Sequence, residues 1–399
     1  SPRLREQIGA SFEITLLSRW VEEEAKCLLK AEDLPNTFWV SDSSGKVIVR
    51  FTQDDGVPEA LARTLIREVT LRALADAPGL DVTGVFIPTD QERVVATDLD
   101  RLDREFSAYS LNRRPALARF PQFPFLKRAD ESAFPASAAL SDEELDRICK
   151  YASCSLMVPI LSDDNGQIPT QTEKDKDRSL SLPSRVKRAW SRSARRLQLR
   201  EVIARQDSSL SDEEVRDRIG NLNEDPFQLE KAFQQTPDED DAAKTIPELA
   251  SVGVIHIDGN GVGAIMRDLG RAFDKVDAHL DSLKDAAYKR RDNPCSIDDD
   301  RFQWFVMEVN YRLDGVVKAA VAAAWKDVED YALGRQVPPV VPVLVGGDDV
   351  TVYTDGRYAF PFAEAYIRHY EYLTGKDDLL RELAVIAGAP EPGSLTASA

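Results

Sequence analysis

Three acidic residues in the last third of the chain stand where carboxylates could hold a divalent cation. Asp348 and Asp349 are adjacent at the tip of an apolar hairpin pattern spanning 345–350, and Asp258 ends the apolar run 251–258. Neighbouring carboxylates repel each other, and aspartate is disfavoured in strands, so the pattern is unfavourable unless a cation neutralises it. The sequence therefore indicates a metal site, although an Asp-rich surface turn would also produce the 345–350 pattern.

Glycines accompany all three acids. Gly346 and Gly347 would let a phosphate approach the backbone of the hairpin. Asp258 runs directly into the glycine-rich turn 259–263, where successive backbone N–H groups could bind phosphate; the alternative is that Asp258 only caps the following helix. The predicted nucleotide-binding positions are Gly259, Asn260, Gly261, Val262, Gly263, Gly346 and Gly347.

If the strand of Asp258 lies beside the hairpin in one sheet, the three carboxylates converge. They could then hold two Mg2+ or Mn2+ ions about 3.5–4 Å apart, as in two-metal phosphoryl chemistry. In this hypothesis Asp258 and Asp349 bridge or share the ions, and Asp348 completes the set of ligands. The reaction would be attack of a ribose hydroxyl on the α-phosphate of a bound nucleoside triphosphate, with release of pyrophosphate.

Hydrophobic periodicity predicts the elements that would position these carboxylates. In chain order they are a strand at 251–258, a helix from 265 to 280, a helix at 301–333, strands at 340–345 and 350–354, a helix at 358–374 and the start of a strand at 395–399. This order of strand, helix, hairpin, helix and strand indicates an α+β unit.

The N-terminal part repeats that order without its first strand. The predicted elements are a helix at 10–31, strands at 37–42 and 46–52, a helix at 57–77 and a strand at 81–88. This is a weak internal repeat of architecture and not of residues. We therefore predict two related α+β units, joined by an irregular and mainly helical region.

Composition limits the class of protein. The net charge of −18 argues against a protein whose whole surface binds nucleic acid, but not against a local basic groove. Four cysteines are too few for a disulfide framework, which indicates a reducing cytoplasm. No apolar run reaches about 18 residues and no signal-peptide pattern is present, so we expect no membrane partner.

A basic stretch interrupts this acidic chain within a predicted helix at 185–206. Its cations are Arg185, Lys187, Arg188, Arg192, Arg195, Arg196 and Arg200, with no acid among them. They could form a groove for RNA or for triphosphate tails. Equally, they could be a solvated helix face that pairs with acidic segments of the same chain, such as 236–243.

Two further side chains leave alternatives open. Trp190, within the basic stretch, could stack on a base, but a core position is the preferred interpretation. His256 alternates with apolar neighbours on the strand that ends at Asp258. A structural role is preferred for His256, with base contact or proton transfer as the alternative.

The pattern of a strand, Asp-Gly-Asn-Gly-Val-Gly and a later Gly-Gly-Asp-Asp hairpin resembles a known family. It is similar to the palm domain of the large, polymerase-like subunit of type III CRISPR complexes and its standalone relatives, which in turn resemble GGDEF diguanylate cyclases. Residues 1–11 resemble the segment after the first strand of that family's first palm, and 395–399 resemble the opening of a late palm strand. Roughly half of the chain takes part, and 90–250 match only loosely.

The resemblance implies an α+β fold of two ferredoxin-like palm units joined by a mainly helical insertion. Residues 1–113 would be a non-catalytic first palm without its leading strand, and 114–250 a connecting region that contains the basic helix 185–206. Residues 251–399 would be the second palm, truncated at its C-terminus. The family's metal ligands map onto Asp258, Asp348 and Asp349, and its nucleotide-contacting glycines onto the glycine positions given above.

Family members that keep both motifs join ATP into cyclic oligoadenylate signals in antiviral defence. The resemblance therefore implies an ATP substrate, two Mg2+ or Mn2+ ions, and a cytoplasmic enzyme. Its partners would be RNA through Arg185–Arg200, other subunits of a CRISPR-type complex, or a second copy of the chain, since GGDEF cyclases need two facing sites.

The sequence departs from the family pattern in several ways, of which the missing acid at Asn260, together with the basic helix, favours a different role. Asn260 stands where many relatives carry a second acid, and the first hairpin, 41–46, lacks paired acids. Cys-x-x-Cys zinc pairs and an HD nuclease signature are also absent from the sequence. The alternative is a catalytically degenerate palm protein that binds RNA or a nucleotide as a subunit of a defence complex. A template-dependent polymerase is disfavoured, because no separate thumb or fingers elements are evident.

Overall fold

The structure is a computed structural model. It describes residues 2–43, 45–89, 92–112, 125–150, 171–206, 209–211, 213–215, 252–283, 297–331, 340–386, 388–389 and 393–399. The acidic segment 236–243 lies outside the described residues, as does about half of the connection predicted at 114–250.

Helices and small antiparallel sheets alternate along the described chain, so the predicted α+β class is confirmed. The helices are α1 Pro2–Thr15, α2 Leu17–Leu29, α3 Pro58–Asp76, α4 Ala96–Asn112, α5 Asp142–Lys150, α6 Glu173–Lys176, α7 Leu182–Gln206, α8 Val262–Arg267, α9 Leu269–Val276, α10 Arg301–Tyr331, α11 Ala359–Lys376 and α12 Asp378–Ala384. The strands are β1 Trp39–Ser43, β2 Lys46–Val49, β3 Val252–Asn260, β4 Val340–Gly346, β5 Asp349–Asp355 and β6 Thr396–Ser398. None of these described helices combines the length and apolarity that a membrane crossing needs.

The described residues fall into two compact units, each assembled from separate stretches of sequence. One comprises Ser1–Ile8, Ala194–Arg267 and Arg312–Ala399, and the other Gly9–Ser193 and Asp268–Tyr311. The predicted domain boundaries near 113 and 250 stay predictions.

A four-stranded antiparallel sheet in the first unit has the order β4-β5-β3-β6. Alternation of side chains along β3 buries Ile255 and Ile257 and exposes His256 and Asp258. Helix α11 covers the buried face, where a Cβ on Gly253 would stand 2.8 Å from Ala359 Cβ. The opposite face of β3 is left exposed.

The sequence predicted this sheet well. The strand expected at 251–258 is β3, and the hairpin expected at 340–354 is formed by β4 and β5. The strand expected to start at 395 is β6, which pairs antiparallel with β3. Apolar runs bounded by glycine turns gave a clear strand pattern here.

In the second unit, the predicted first hairpin is present and the strand predicted at 81–88 is not. β1 pairs with β2, and no strand is assigned to residues 80–89. That segment packs against α3 instead, since a Cβ on Gly84 would stand only 2.7 Å from Ile66 Cγ1. Contact with the helix therefore replaces pairing with the hairpin.

A carboxyl group is buried where α1 meets α7. The two helices approach so closely that a Cβ on Gly9 would stand 1.9 Å from the carbonyl oxygen of Lys187. Glu13 is fully buried, and neither of its carboxyl oxygens has a hydrogen-bond partner among the described residues. Burial raises the pKa of Glu13 from its ordinary 4.5 to about 8, against the opposing charge of Lys187.

This burial predicts a pH dependence that Glu13→Gln should remove. Between pH 4.5 and about 8 the folded state keeps the Glu13 proton while the unfolded state releases it. The free energy of unfolding therefore falls as pH rises through this window. We expect urea unfolding to show wild-type stability falling across that range, and a flatter profile for Glu13→Gln. Glu59→Gln, at an exposed glutamate paired with Arg63, is the control. Parallel profiles for wild type and Glu13→Gln would contradict the assignment.

Candidate metal and nucleotide site

Two of the three predicted carboxylates lie directly opposite each other. Asp258 of β3 is the cross-strand partner of Asp349 of β5, at the end of their ladder. Directly paired residues share one face of a sheet, and their Cβ atoms are about 4.5–5.5 Å apart. Asp258 is exposed and Asp349 is partly exposed, so this like-charged pair opens to solvent.

The hairpin that carries Asp349 turns in two residues. Gly346 pairs with Asp349, which leaves Gly347 and Asp348 in the turn. Gly347 has a φ of +65°, which suits the first central position of a type II′ turn and favours glycine there. The N–H of Gly259 donates to the carbonyl oxygen of Asp348 at 3.1 Å, and this bond ties the hairpin tip to β3.

Asp348 lies on the other side of the strand from that pair. Its Cβ is 3.2 Å from the position that a Cβ on Gly259 would take, and Gly259 belongs to the buried face of β3. Burial raises the pKa of Asp348, a backbone hydrogen bond opposes the rise, and the charges of Asp349 and Asp258 add to it. Asp348 is thus electrostatically coupled to the pair without facing it.

The three carboxylates do not form a preassembled cage. Among the described residues, no group of three or more His, Cys, Asp or Glu side chains has the geometry to hold a metal ion. Mg2+ is usually bound through one or two protein carboxylates together with substrate phosphates. Asp258 and Asp349 supply two such carboxylates, so these residues fit a cation that binds together with a triphosphate.

Asn260 is fixed by hydroxyl groups that the sequence analysis did not identify. Its amide nitrogen donates to Thr396 Oγ1 at 3.1 Å, and Ser398 Oγ donates to its amide oxygen at 2.8 Å. Ser398 is also the strand partner of Asp258. The sequence signal for these hydroxyls is the polar–apolar alternation of Thr396, Ala397 and Ser398. Their contact with Asn260 becomes evident from the pairing of β6 with β3.

The rest of the predicted glycine-rich turn leads into a short helix. Gly261 has a φ of +80°, and its carbonyl oxygen accepts from the N–H groups of Ala264 and Ile265. Val262 is buried, whereas a Cβ on Gly263 would meet no atom within 4 Å. Gly263 and Gly347, at the hairpin tip, therefore both border open space.

Two tyrosines of α11, also missed by the sequence analysis, lie beneath the site. Tyr366 and Tyr370 stack with ring centroids 5.9 Å apart, and burial raises the pKa of both phenols. A Cβ on Gly259 would stand 3.1 Å from the Tyr370 hydroxyl, which has no hydrogen-bond partner among the described residues. At four-residue spacing in an apolar helix, these tyrosines are indistinguishable from ordinary core residues.

His256 lies on the same exposed face as Asp258, two cross-strand pairs further along the ladder. Its Nδ1 is 3.0 Å from Thr351 Oγ1 of the neighbouring strand. The imidazole is therefore oriented by a hydrogen bond and accessible, which keeps the alternative of ligand contact open.

The predicted basic helix is present as α7, but much of its charge is buried. Arg185 donates to the carbonyl oxygens of Ser137, Asp175 and Arg178. Arg188 forms ion pairs with Asp175 and Glu131. Among the arginines of α7 whose side chains are described, those with less than a tenth of their surface exposed are Arg185, Arg188, Arg195 and Arg196.

The contacts of Arg185 and Arg188 favour pairing within the chain over an RNA groove, and the burial of Arg195 and Arg196 also disfavours a groove at those positions. The partners of Arg188 are Asp175 and Glu131 and not the acidic segment 236–243, which lies outside the described residues. Trp190 is fully buried, with its ring 4.9 Å from that of Phe12, as the preferred core interpretation predicted.

No protein-family model matches the chain, and no curated protein matches it. The class of this protein is therefore described from its own fold and candidate site. It is an α+β protein with a four-stranded antiparallel sheet, and two aspartates on that sheet face each other beside a glycine hairpin.

The packing of Gly259 predicts an asymmetry between two glycines of the site. Gly259→Ala should lower the free energy of unfolding by about 1–3 kcal/mol, because the new Cβ would crowd Tyr370, Val262 and Asp348. Gly263→Ala is the matched control and should be neutral or stabilising by about 0.5–1 kcal/mol, because it lies in an open helical position. Urea unfolding of both variants measures the difference. Equal effects would contradict the packing described for Gly259.

Proposed function

We propose that this protein is a metal-dependent nucleotidyltransferase that joins nucleoside triphosphates into oligonucleotides, with ATP as the substrate that the resemblance implies. The observation that carries the proposal is the cross-strand pair of Asp258 and Asp349 beside a two-residue glycine hairpin. Two carboxylates held opposite each other on an exposed face are unfavourable for stability, and a divalent cation bound with phosphate oxygens offsets that repulsion.

The connectivity around the site supports a palm domain at 251–399. β3, helices, the β4–β5 hairpin, α11 and β6 follow one another in the β-α-β-β-α-β order of ferredoxin-like folds. The sheet order β4-β5-β3-β6 places the first and third strands of this series at its centre. A first palm over 1–113 is supported more weakly, by the hairpin of β1 and β2.

Each residue of the site has a task in this proposal. Asp258 and Asp349 hold the cation, and Asp348 adds negative charge from the other side of the hairpin. Gly347 and Gly263 leave space for the triphosphate. A bound Mg2+ or Mn2+ would lower the pKa of the attacking hydroxyl and neutralise the leaving pyrophosphate. Asn260, held between Thr396 and Ser398, keeps the end of β3 in register with β6.

The finer parts of the proposal rest on the resemblance to type III CRISPR palm proteins. They are the cyclic oligoadenylate product, two ions instead of one, a role in antiviral defence, a cytoplasmic location, and partners that include RNA, complex subunits or a second copy. The burial of Arg185 and Arg188 disfavours these residues as the RNA contact.

A second candidate is a degenerate palm that binds a nucleotide or RNA without turning it over. The observation that favours it is Asn260, whose amide is engaged by two hydroxyls where relatives carry an acid. Thermal shift separates the two functions. A catalytic palm should be stabilised by ATP only with Mg2+ or Mn2+, whereas an RNA-binding module should respond to RNA and lose that response in salt.

The proposal predicts opposite effects on activity and stability. Asp258→Asn and Asp349→Asn should each reduce oligonucleotide formation by about a hundredfold or more, because each removes a ligand of the cation that stabilises transition-state charge. In metal-free buffer the same variants should melt at a higher temperature than wild type, because they remove a like-charge pair. Products from ATP, GTP, CTP and UTP, separately and mixed, are identified by mass spectrometry with Mg2+ or Mn2+.

Asp103→Asn is the control, because Asp103 is 57% exposed on α4 and paired with Lys46. This control should retain product formation. A double Asp348→Ala, Asp349→Ala variant that makes product at the wild-type rate would refute the enzyme. If the folded, metal-loaded wild-type protein yielded no product, with or without RNA, the result would support the second candidate, the degenerate palm.

A further inference from the structure

The exposed face of the β3–β5 ladder carries a graded series of side chains that leads away from the carboxylates. Every second pair of an antiparallel ladder points to the same face. Starting from the hairpin tip, the first three pairs on this face are Asp258 with Asp349, His256 with Thr351, and Val254 with Tyr353. All six residues belong to the same compact unit.

The chemical character of these pairs changes in a fixed order. The first pair is anionic, and the second pair is held by a 3.0 Å hydrogen bond between His256 and Thr351. The third pair is apolar and aromatic. Val254 in that pair is 61% exposed, which is high for an apolar residue in the middle of a strand.

The third pair is also held in place. The hydroxyl of Tyr353 donates to Gln7 Oε1 at 3.0 Å, so the ring has a fixed position beside Val254. Val341, the partner of Tyr353 on β4, is buried. The exposed surface at this level is therefore offered by β3 and β5, next to the candidate metal site.

A nucleotide has the same order of chemical groups. Its phosphates are anionic and bind cations, its ribose carries hydroxyls that exchange hydrogen bonds, and its base presents a flat apolar surface. Each step along the ladder spans two residues, so the three pairs cover roughly 13 Å. That is the scale of a single nucleotide laid lengthwise along the strands.

We infer that one nucleotide unit lies along this face, with its phosphates held through a divalent cation at Asp258 and Asp349, its ribose beside His256 and Thr351, and its base against Val254 and Tyr353. The inference rests on the proposed function and deepens it, because it assigns the ribose and base subsites. Contact of the base with a valine and an aromatic ring uses its flat surface, so this subsite tolerates different bases.

The base subsite is tested by comparing two ligands that differ in having a nucleoside. ATP and inorganic triphosphate are titrated into the protein by calorimetry, each with Mg2+. Val254→Ser should weaken ATP binding about tenfold, because it removes an apolar contact with the base, and leave triphosphate binding unchanged. Val57→Ser, at a valine that is 68% exposed elsewhere in the chain, is the matched control and should change neither.

The ribose subsite is tested with ATP and 2′,3′-dideoxy-ATP. Wild type should bind ATP more tightly than the dideoxy analogue. His256→Ala and Thr351→Val should each reduce that difference, because they remove one partner of the hydrogen-bonded pair. Far-UV circular dichroism and melting temperature verify that the variants stay folded.

The outcomes separate this inference from the proposed function. If Val254→Ser, His256→Ala and Thr351→Val all bound ATP with wild-type affinity, the inference would be overturned. The proposed function would still stand if Asp258→Asn abolished Mg2+-dependent ATP binding. Failure of wild type to bind either ATP or triphosphate with Mg2+ would overturn the proposed function, and this inference with it.

Discussion

The antiparallel pairing of β3 with β5 sets the position of the two facing carboxylates on which the candidate site depends. Ile257 and Val350 are direct partners and are fully buried, so the next pair along the ladder, Asp258 and Asp349, must point to the opposite face. A slip by one residue would bring these carboxylates to the buried face and the apolar pair into solvent. Hydrophobic burial thus enforces the approach of two like charges, and a cation is the natural partner for them.

Much of the sheet could be predicted from sequence because its signals are local. Apolar alternation and the glycines at 346 and 347 predict the hairpin without knowledge of its neighbours. The prediction of a strand at 81–88 was wrong: its β-branched and aromatic residues fit a strand, yet the segment packs on α3 at Gly84. Local pattern cannot distinguish a segment that pairs with a strand from one that packs on a helix.

The candidate site was less predictable, because its geometry depends on register and on tertiary packing. The sequence identified Asp258 and Asp349 but could not show that they are direct partners, nor that the neighbouring Asp348 lies on the other side of the strand. The basic run illustrates the same limit. Arg188 reads as a surface cation, but Asp175 and Glu131 neutralise it within the fold.

The central claim is that Asp258 and Asp349 bind a divalent cation together with a nucleoside triphosphate. Equilibrium dialysis of Mn2+, with a non-hydrolysable ATP analogue present at equal concentration on both sides or absent, measures it directly. The protein offers two facing carboxylates, and the phosphates of the analogue complete the coordination of the ion. The protein should therefore bind Mn2+ weakly without the analogue and at least about tenfold more tightly with it. Loss of this increase in Asp349→Asn would support the account. Equal Mn2+ retention with and without the analogue, or an increase that survives Asp349→Asn, would contradict it.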